Sequence, residues 1–162
     1  LGSQYYSENP IYPVEKTVAN LNIDAIYGYG RTQDIEIIGY GQSEMDDYAR
    51  TVCDKYGLEV IPDTNTEKGY FFRSDHIHFA KLGIPCFYGK NGMNSIKNGP
   101  EWGREQHDLY RDQNYHAPSD EFDSSFDMGS VVQVSQLMLE MAQLLANERT
   151  FPDWKEGADF SR

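Results

Sequence analysis

The sequence predicts an α/β domain, with helices layered on a sheet. Strand-like and helix-like segments alternate along the chain, and the helix-like segments each carry one apolar stripe. A chain of 162 residues with 39% apolar and 14% aromatic side chains is also long enough, and apolar enough, to bury one core.

The elements follow in order. TVANLNIDAIY (17–27) reads as the first strand, with Val18, Leu21 and Ile23 as its apolar positions. GYGRTQ supplies glycines for a tight connection to a second strand, DIEIIGY (34–40). In SEMDDYARTVCDKYG (43–57), Met45, Tyr48, Ala49, Val52, Cys53 and Tyr56 share one helical stripe. Ser43 and Asp46 resemble a capping box, and Gly57 stands where a glycine closes a helix. LEVI (58–61) is a short strand ended by Pro62. SDHIHFAKLG (74–83) reads as a short helix capped by Ser74 and closed by Gly83, with IPCFYG (84–89) as the strand after it. Residues 90–114, rich in glycine, asparagine and charge, read as one long loop of the kind that borders a substrate site. In SVVQVSQLMLEMAQLLANE (130–148), Val131, Val134, Met138, Met141 and Leu145 line the packing face of a last helix. The tail from Arg149 offers Trp154 and Phe160 for docking on the body.

Charge narrows the partners. Against 26 acidic side chains stand 14 basic ones, for a net −12 without any cluster of Lys and Arg, which speaks against a nucleic-acid partner. The acidity is first that of a solvated surface, and it also suits a site that attracts a metal ion or a positively charged substrate terminus. No apolar run is long enough to span a bilayer, so no membrane partner is expected. Cys53 and Cys86 lie in apolar contexts and read as buried thiols.

Three polar clusters could sit at the strand ends, where ligands of α/β sheets collect. Asp24 ends the first strand and serves either as a turn cap or as a ligand. Asp75 and His76 open a helix directly after Arg73, a place where the helix dipole favours an acid whatever its function. His76 and His78 would point apart on a helix, and His107 reads as a solvated loop residue. In NYHAPSDEFD (114–123), Pro118 stiffens the turn after His116 and brings Asp120 back towards the ring. An imidazole held by a carboxylate is the usual arrangement of a metal-bound histidine, and nitrogen plus carboxylate oxygen suits zinc.

NLNID (20–24), FRSDHIHFAKLGIP (72–85) and YHAPSDEFD (115–123) occur in the order found in co-catalytic zinc aminopeptidases. The chain resembles that family, which includes glutamate carboxypeptidase, the transferrin-receptor ectodomain and the glutaminyl cyclases. The opening LGSQYYSENP is similar to the helix after the family's Glu-Glu motif. The resemblance implies a three-layer αβα sandwich of zinc-exopeptidase (phosphorylase/hydrolase-like) type, incomplete on its N-terminal side. Residues 1–148 would be the C-terminal part of the catalytic domain and 149–162 a tail docked on it. Asp24 would bind one zinc ion and His116 the other, with Asp120 orienting the His116 ring. Tyr115 would donate its phenol to the oxyanion, and Arg73, Ser74 and Asp75 would line the substrate wall.

Two zinc ions per complete site, a peptide substrate with a free N-terminus, and a secreted or periplasmic location follow from the same resemblance. The family's His-x-Asp and Glu-Glu motifs, which supply the bridging carboxylate, the general base and further ligands, do not occur in this sequence. The expectation is therefore an aminopeptidase fragment that lacks the N-terminal half of its own domain and is inactive alone. Glutaminyl cyclase-like acyl transfer and a non-catalytic, receptor-like relative are the alternatives.

Overall fold

The computed structural model describes residues 1–162. Four strands form one mixed sheet: β1 (Asn20–Asn22), β2 (Asp34–Ile38), β3 (Glu59–Pro62) and β4 (Cys86–Asn91), in the order β1-β4-β2-β3. β4 runs parallel to β1 and antiparallel to β2, while β2 and β3 are parallel. The helices are α1 (Gly2–Glu8), α2 (Met45–Lys55), α3 (Ile77–Ala80), α4 (Gly99–Gln113) and α5 (Gly129–Asn147).

The two-residue period of β2 and β4 divides the core. Ile35, Ile37 and Phe87 face α2 and α5, where Met45, Val52, Val134 and Met141 close the larger cluster. Ile38, Cys86 and Tyr88 face the other way and pack with Phe71, Ile77, Ala80 and Trp154. All of β2 is buried, as a strand covered on both faces must be. Each such Ile or Phe contributes about 1.5–3 kcal/mol by leaving water. The domain is thus three-layered α/β, and both cysteines are buried free thiols. Burial pushes the Cys53 thiol up to about 11 and that of Cys86 to about 12, so both stay protonated. The tail docks on the smaller cluster: the Trp154 indole is buried and its Nε1 donates to Gly83 O at 2.9 Å.

Several expectations are corrected. The first strand is three residues long, not eleven; the chain leaves the sheet after Asn22, so Ile23 is 55% exposed. The 90–114 stretch is no loop: its first two residues complete β4, and Gly99–Gln113 forms the fifteen-residue α4. Ser43 and Asp46 form no capping box. Ser43 Oγ accepts from Met45 N–H at 3.3 Å, and the Asp46 carboxylate turns back to Gly41 N–H at 2.7 Å. Ser74 does not cap α3 either, because the helix starts three residues later and its hydroxyl is engaged elsewhere.

Candidate metal and substrate site

Asp24 lies two residues beyond the end of β1, an edge strand, where the backbone leaves the sheet. Its carboxylate is held by a short relay. Asn22 Nδ2 donates to Ser74 Oγ at 2.8 Å, and Ser74 Oγ donates to Asp24 Oδ2 at 2.8 Å. The relay fixes one carboxylate oxygen and leaves the other free. Ser74 therefore meets Asp24 across fifty residues of chain, which is what the turn before α3 accomplishes.

His116 sits in the connection between α4 and α5. Its ring stacks on that of Tyr115 with centroids 3.9 Å apart and planes 19° apart. Its backbone has φ of 59°, and Ala25, beside Asp24, has φ of 47°. No other non-glycine residue of the chain adopts positive φ. Such conformations cost about 1–3 kcal/mol each, persist only where the surroundings impose them, and gather at functional sites. One is the ligand candidate His116 itself, and the other adjoins the ligand candidate Asp24.

Asp24, Arg73, Ser74, Tyr115, His116 and Asp120 line one cavity of about 440 Å³, together with Tyr27, Tyr70, Tyr88, Lys90, Tyr110 and Arg111. Asp75 lies outside this lining, and its carboxylate accepts from Ser3 Oγ of α1 at 2.7 Å. Asp120 Oδ2 accepts from the Tyr110 hydroxyl at 2.9 Å and makes no hydrogen bond to His116. Burial pushes the Tyr27 phenol up to about 12, with Arg111 opposing the shift. Burial, followed by the bond to Asp120, likewise raises Tyr110 to about 12, and burial raises Tyr88 further. These phenols are neutral donors at physiological pH.

The sequence alone did not reveal Asn22, Tyr70, Lys90, Tyr110 or Arg111 as part of the site. Lys90 and Glu36 face each other in adjacent strands, with Lys90 Nζ 3.1 Å from Glu36 Oε2 and both side chains almost fully buried. The alternation of charge with apolar residues in DIEII and CFYGKN was the available signal. His107, expected to be solvated, is buried on α4 and meets Tyr27 edge-on at 5.2 Å. Burial holds its pKa below the ordinary value.

The cavity of this mixed α/β sheet thus joins a carboxylate, an imidazole and a phenol, groups able to bind a metal ion and to donate to an oxyanion. The sequence pattern of peptidase family M28 matches residues 1–150, nearly the whole chain, and the protein belongs to that family. Its peptidases are in general zinc-dependent. Neither curated proteins nor solved structures give a significant match.

Asp24 and His116 are donors of the right chemistry for zinc. However, no three His, Cys, Asp or Glu side chains come close enough together to hold a metal ion. Catalytic zinc takes three protein ligands and keeps a fourth position open. These residues do not make a complete zinc site by themselves.

Proposed function

We propose that the chain is part of the catalytic domain of an aminopeptidase, which removes residues from the free N-terminus of peptides. The observation that carries this reading is the convergence on one cavity of Asp24, from beyond β1, with Tyr115 and His116, from the α4–α5 connection. Asp24 and His116 each offer one metal ligand, and the remaining ligands and the general base come from residues outside this sequence. Zinc supplies Lewis-acid activation of the scissile carbonyl when bound. The Tyr115 phenol donates a hydrogen bond to the oxygen on which negative charge develops. The Asn22–Ser74 relay holds the Asp24 carboxylate in one orientation, as hydrogen-bonded neighbours of metal ligands do. Arg73 and Ser74 form the substrate wall, and Asp75 anchors that wall to α1 through Ser3. The same family membership is consistent with a secreted or periplasmic protein acting on peptides.

The test is hydrolysis of leucyl-peptides by the complete protein, with N-terminal glutamine peptides as the cyclase control and zinc affinity measured in parallel. His116→Ala is expected to weaken zinc binding by more than about a hundredfold, beyond what loss of an outer partner causes, and to abolish hydrolysis. Unchanged zinc affinity in that variant would remove the metal reading. Release of pyroglutamyl peptides without hydrolysis would replace the aminopeptidase by a cyclase.

A further inference from the structure

The cavity carries a cationic wall that neither metal binding nor hydrolysis requires. Three of the chain's 14 basic side chains, Arg73, Lys90 and Arg111, line it, although the protein as a whole is strongly acidic. Lys90 is charge-balanced by Glu36, whose other oxygen is occupied by the Thr64 N–H and hydroxyl, both at 2.7 Å. Arg111 is not balanced. It makes no ion pair, although the carboxylates of Asp24 and Asp120 line the same cavity and are bonded instead to the hydroxyls of Ser74 and Tyr110.

Arg111 is also held in place. Its guanidinium carbon lies 5.5 Å from the centre of the Tyr70 ring and 5.6 Å from that of Tyr115, and Nη1 donates to the Tyr70 hydroxyl. The Lys90 ammonium sits 5.3 Å from the same Tyr70 ring. The Tyr115 ring and the Tyr70 hydroxyl hold a half-buried fork whose remaining N–H groups have no protein acceptor within the cavity. A planar fork of this kind matches a carboxylate in bidentate fashion. Its rigidity lowers the ordering cost of binding. Tyr115 contacts both Arg111 and the His116 imidazole, so an anion held by Arg111 would share the cavity with the candidate metal ligand.

We propose that Arg111, fixed by Tyr70 and Tyr115 and supported by Lys90, is a carboxylate subsite that selects anionic peptides. This rests on the peptidase reading, which makes a carboxylate the anion that the substrate brings. Two sources share that chemistry: the α-carboxylate of a short peptide and the side chain of an aspartate or glutamate. The subsite thus assigns to this enzyme either short peptides or acidic ones.

The experiment is calorimetric titration of the complete protein with three probes. N-acetylglutamine carries only an α-carboxylate, N-acetylglutamate α-amide only a side-chain carboxylate, and N-acetylglutamine amide neither. At least one carboxylate probe is expected to bind about tenfold more tightly than the neutral one, as a charge-assisted pair should. Which of the two does so identifies the source. Arg111→Leu should erase the preference and Arg111→Lys should keep part of it. Equal binding of all three probes by the unaltered protein overturns the subsite, whether or not the variants fold. So does a preference that survives in Arg111→Leu. Because binding is read without turnover, a carboxylate preference in a protein that hydrolyses no peptide would leave the subsite standing and defeat only the peptidase reading. Turnover without that preference would do the reverse.

Discussion

At the scale of single residues, His76 shows how burial sets chemistry. The side chain has no solvent exposure, and neither ring nitrogen has a hydrogen-bond partner. Its ring packs edge-on against Phe71 with centroids 4.5 Å apart. Burial lowers its pKa from 6.5 to about 4, and the nearby charges of Asp24 and Asp75 only partly oppose that. The unfolded chain therefore takes up a proton near pH 6.5 that the folded chain refuses until about 4. The stabilisation from a neutral His76 is complete above 6.5 and is lost as pH falls towards 4, at up to about 1.4 kcal/mol per pH unit. His76→Phe keeps an aromatic ring and removes the proton site. Its urea midpoint at pH 7 should lie close to that of the parent, and it should lose less stability between pH 6.5 and 4.5. Parallel pH profiles in the two proteins would mean that His76 finds a partner in solution. The sequence showed this residue only as the acid-flanked first histidine of DHIH, because nothing in a one-dimensional pattern reveals that Phe71 and Tyr88 enclose it.

At the scale of elements, α4 shows where pattern reading failed. Gly99, Pro100 and Gly103 look like breakers in the sequence, yet each has a helical use. Pro100 occupies the first turn, where its missing N–H is not needed. Gly103 is present because α4 crosses the chain after β4 so closely that a Cβ there would lie 2.0 Å from the Met93 carbonyl oxygen. The helix buries only Gly103 and His107, so its apolar stripe was too thin to see. Gly103→Ala should raise intrinsic helix propensity by about 1 kcal/mol and still destabilise the protein, because the clash is with backbone and overpacking costs about 1–3 kcal/mol. Thermal unfolding reads the sign: a raised midpoint would mean that α4 stands further from Met93 than described. α2 and α5, by contrast, were legible, since both carry long apolar stripes against the sheet. What α5 hid is Gln133, a buried amide that accepts from Thr32 N–H at 3.0 Å and from Asn91 Nδ2 at 2.8 Å, tying the helix to the loop before β2.

At the scale of the whole molecule, the division between legible and hidden follows which interactions are local. The layered α/β class and the buried cysteines could be read from the sequence, because period and apolar context are local, whereas only the folded chain shows that Asp24 and His116 share a cavity. The cationic wall could not be read there, because Tyr70, Lys90 and Arg111 come from three separate elements and meet only in the folded chain. The same long-range argument governs metal binding. Asp24, His116 and Asp120 line one cavity, yet no three His, Cys, Asp or Glu side chains are close enough together to hold a metal ion. A ligand pair loses most of the affinity that three or four donors give zinc, and metal affinity is the sum of those donors in one geometry. The 162-residue chain, loaded with zinc and dialysed at neutral pH, should thus retain far less than one zinc ion per chain. Elemental analysis decides it: a retained ion or pair of ions would require donors such as Tyr115 or Asp120 to move into the site. On the proposed function, a longer form that supplies further ligands should hold zinc through the same treatment, and lose it again when His116 is replaced by Ala. Retention by the short chain together with indifference to His116→Ala would place the metal elsewhere on its acidic surface.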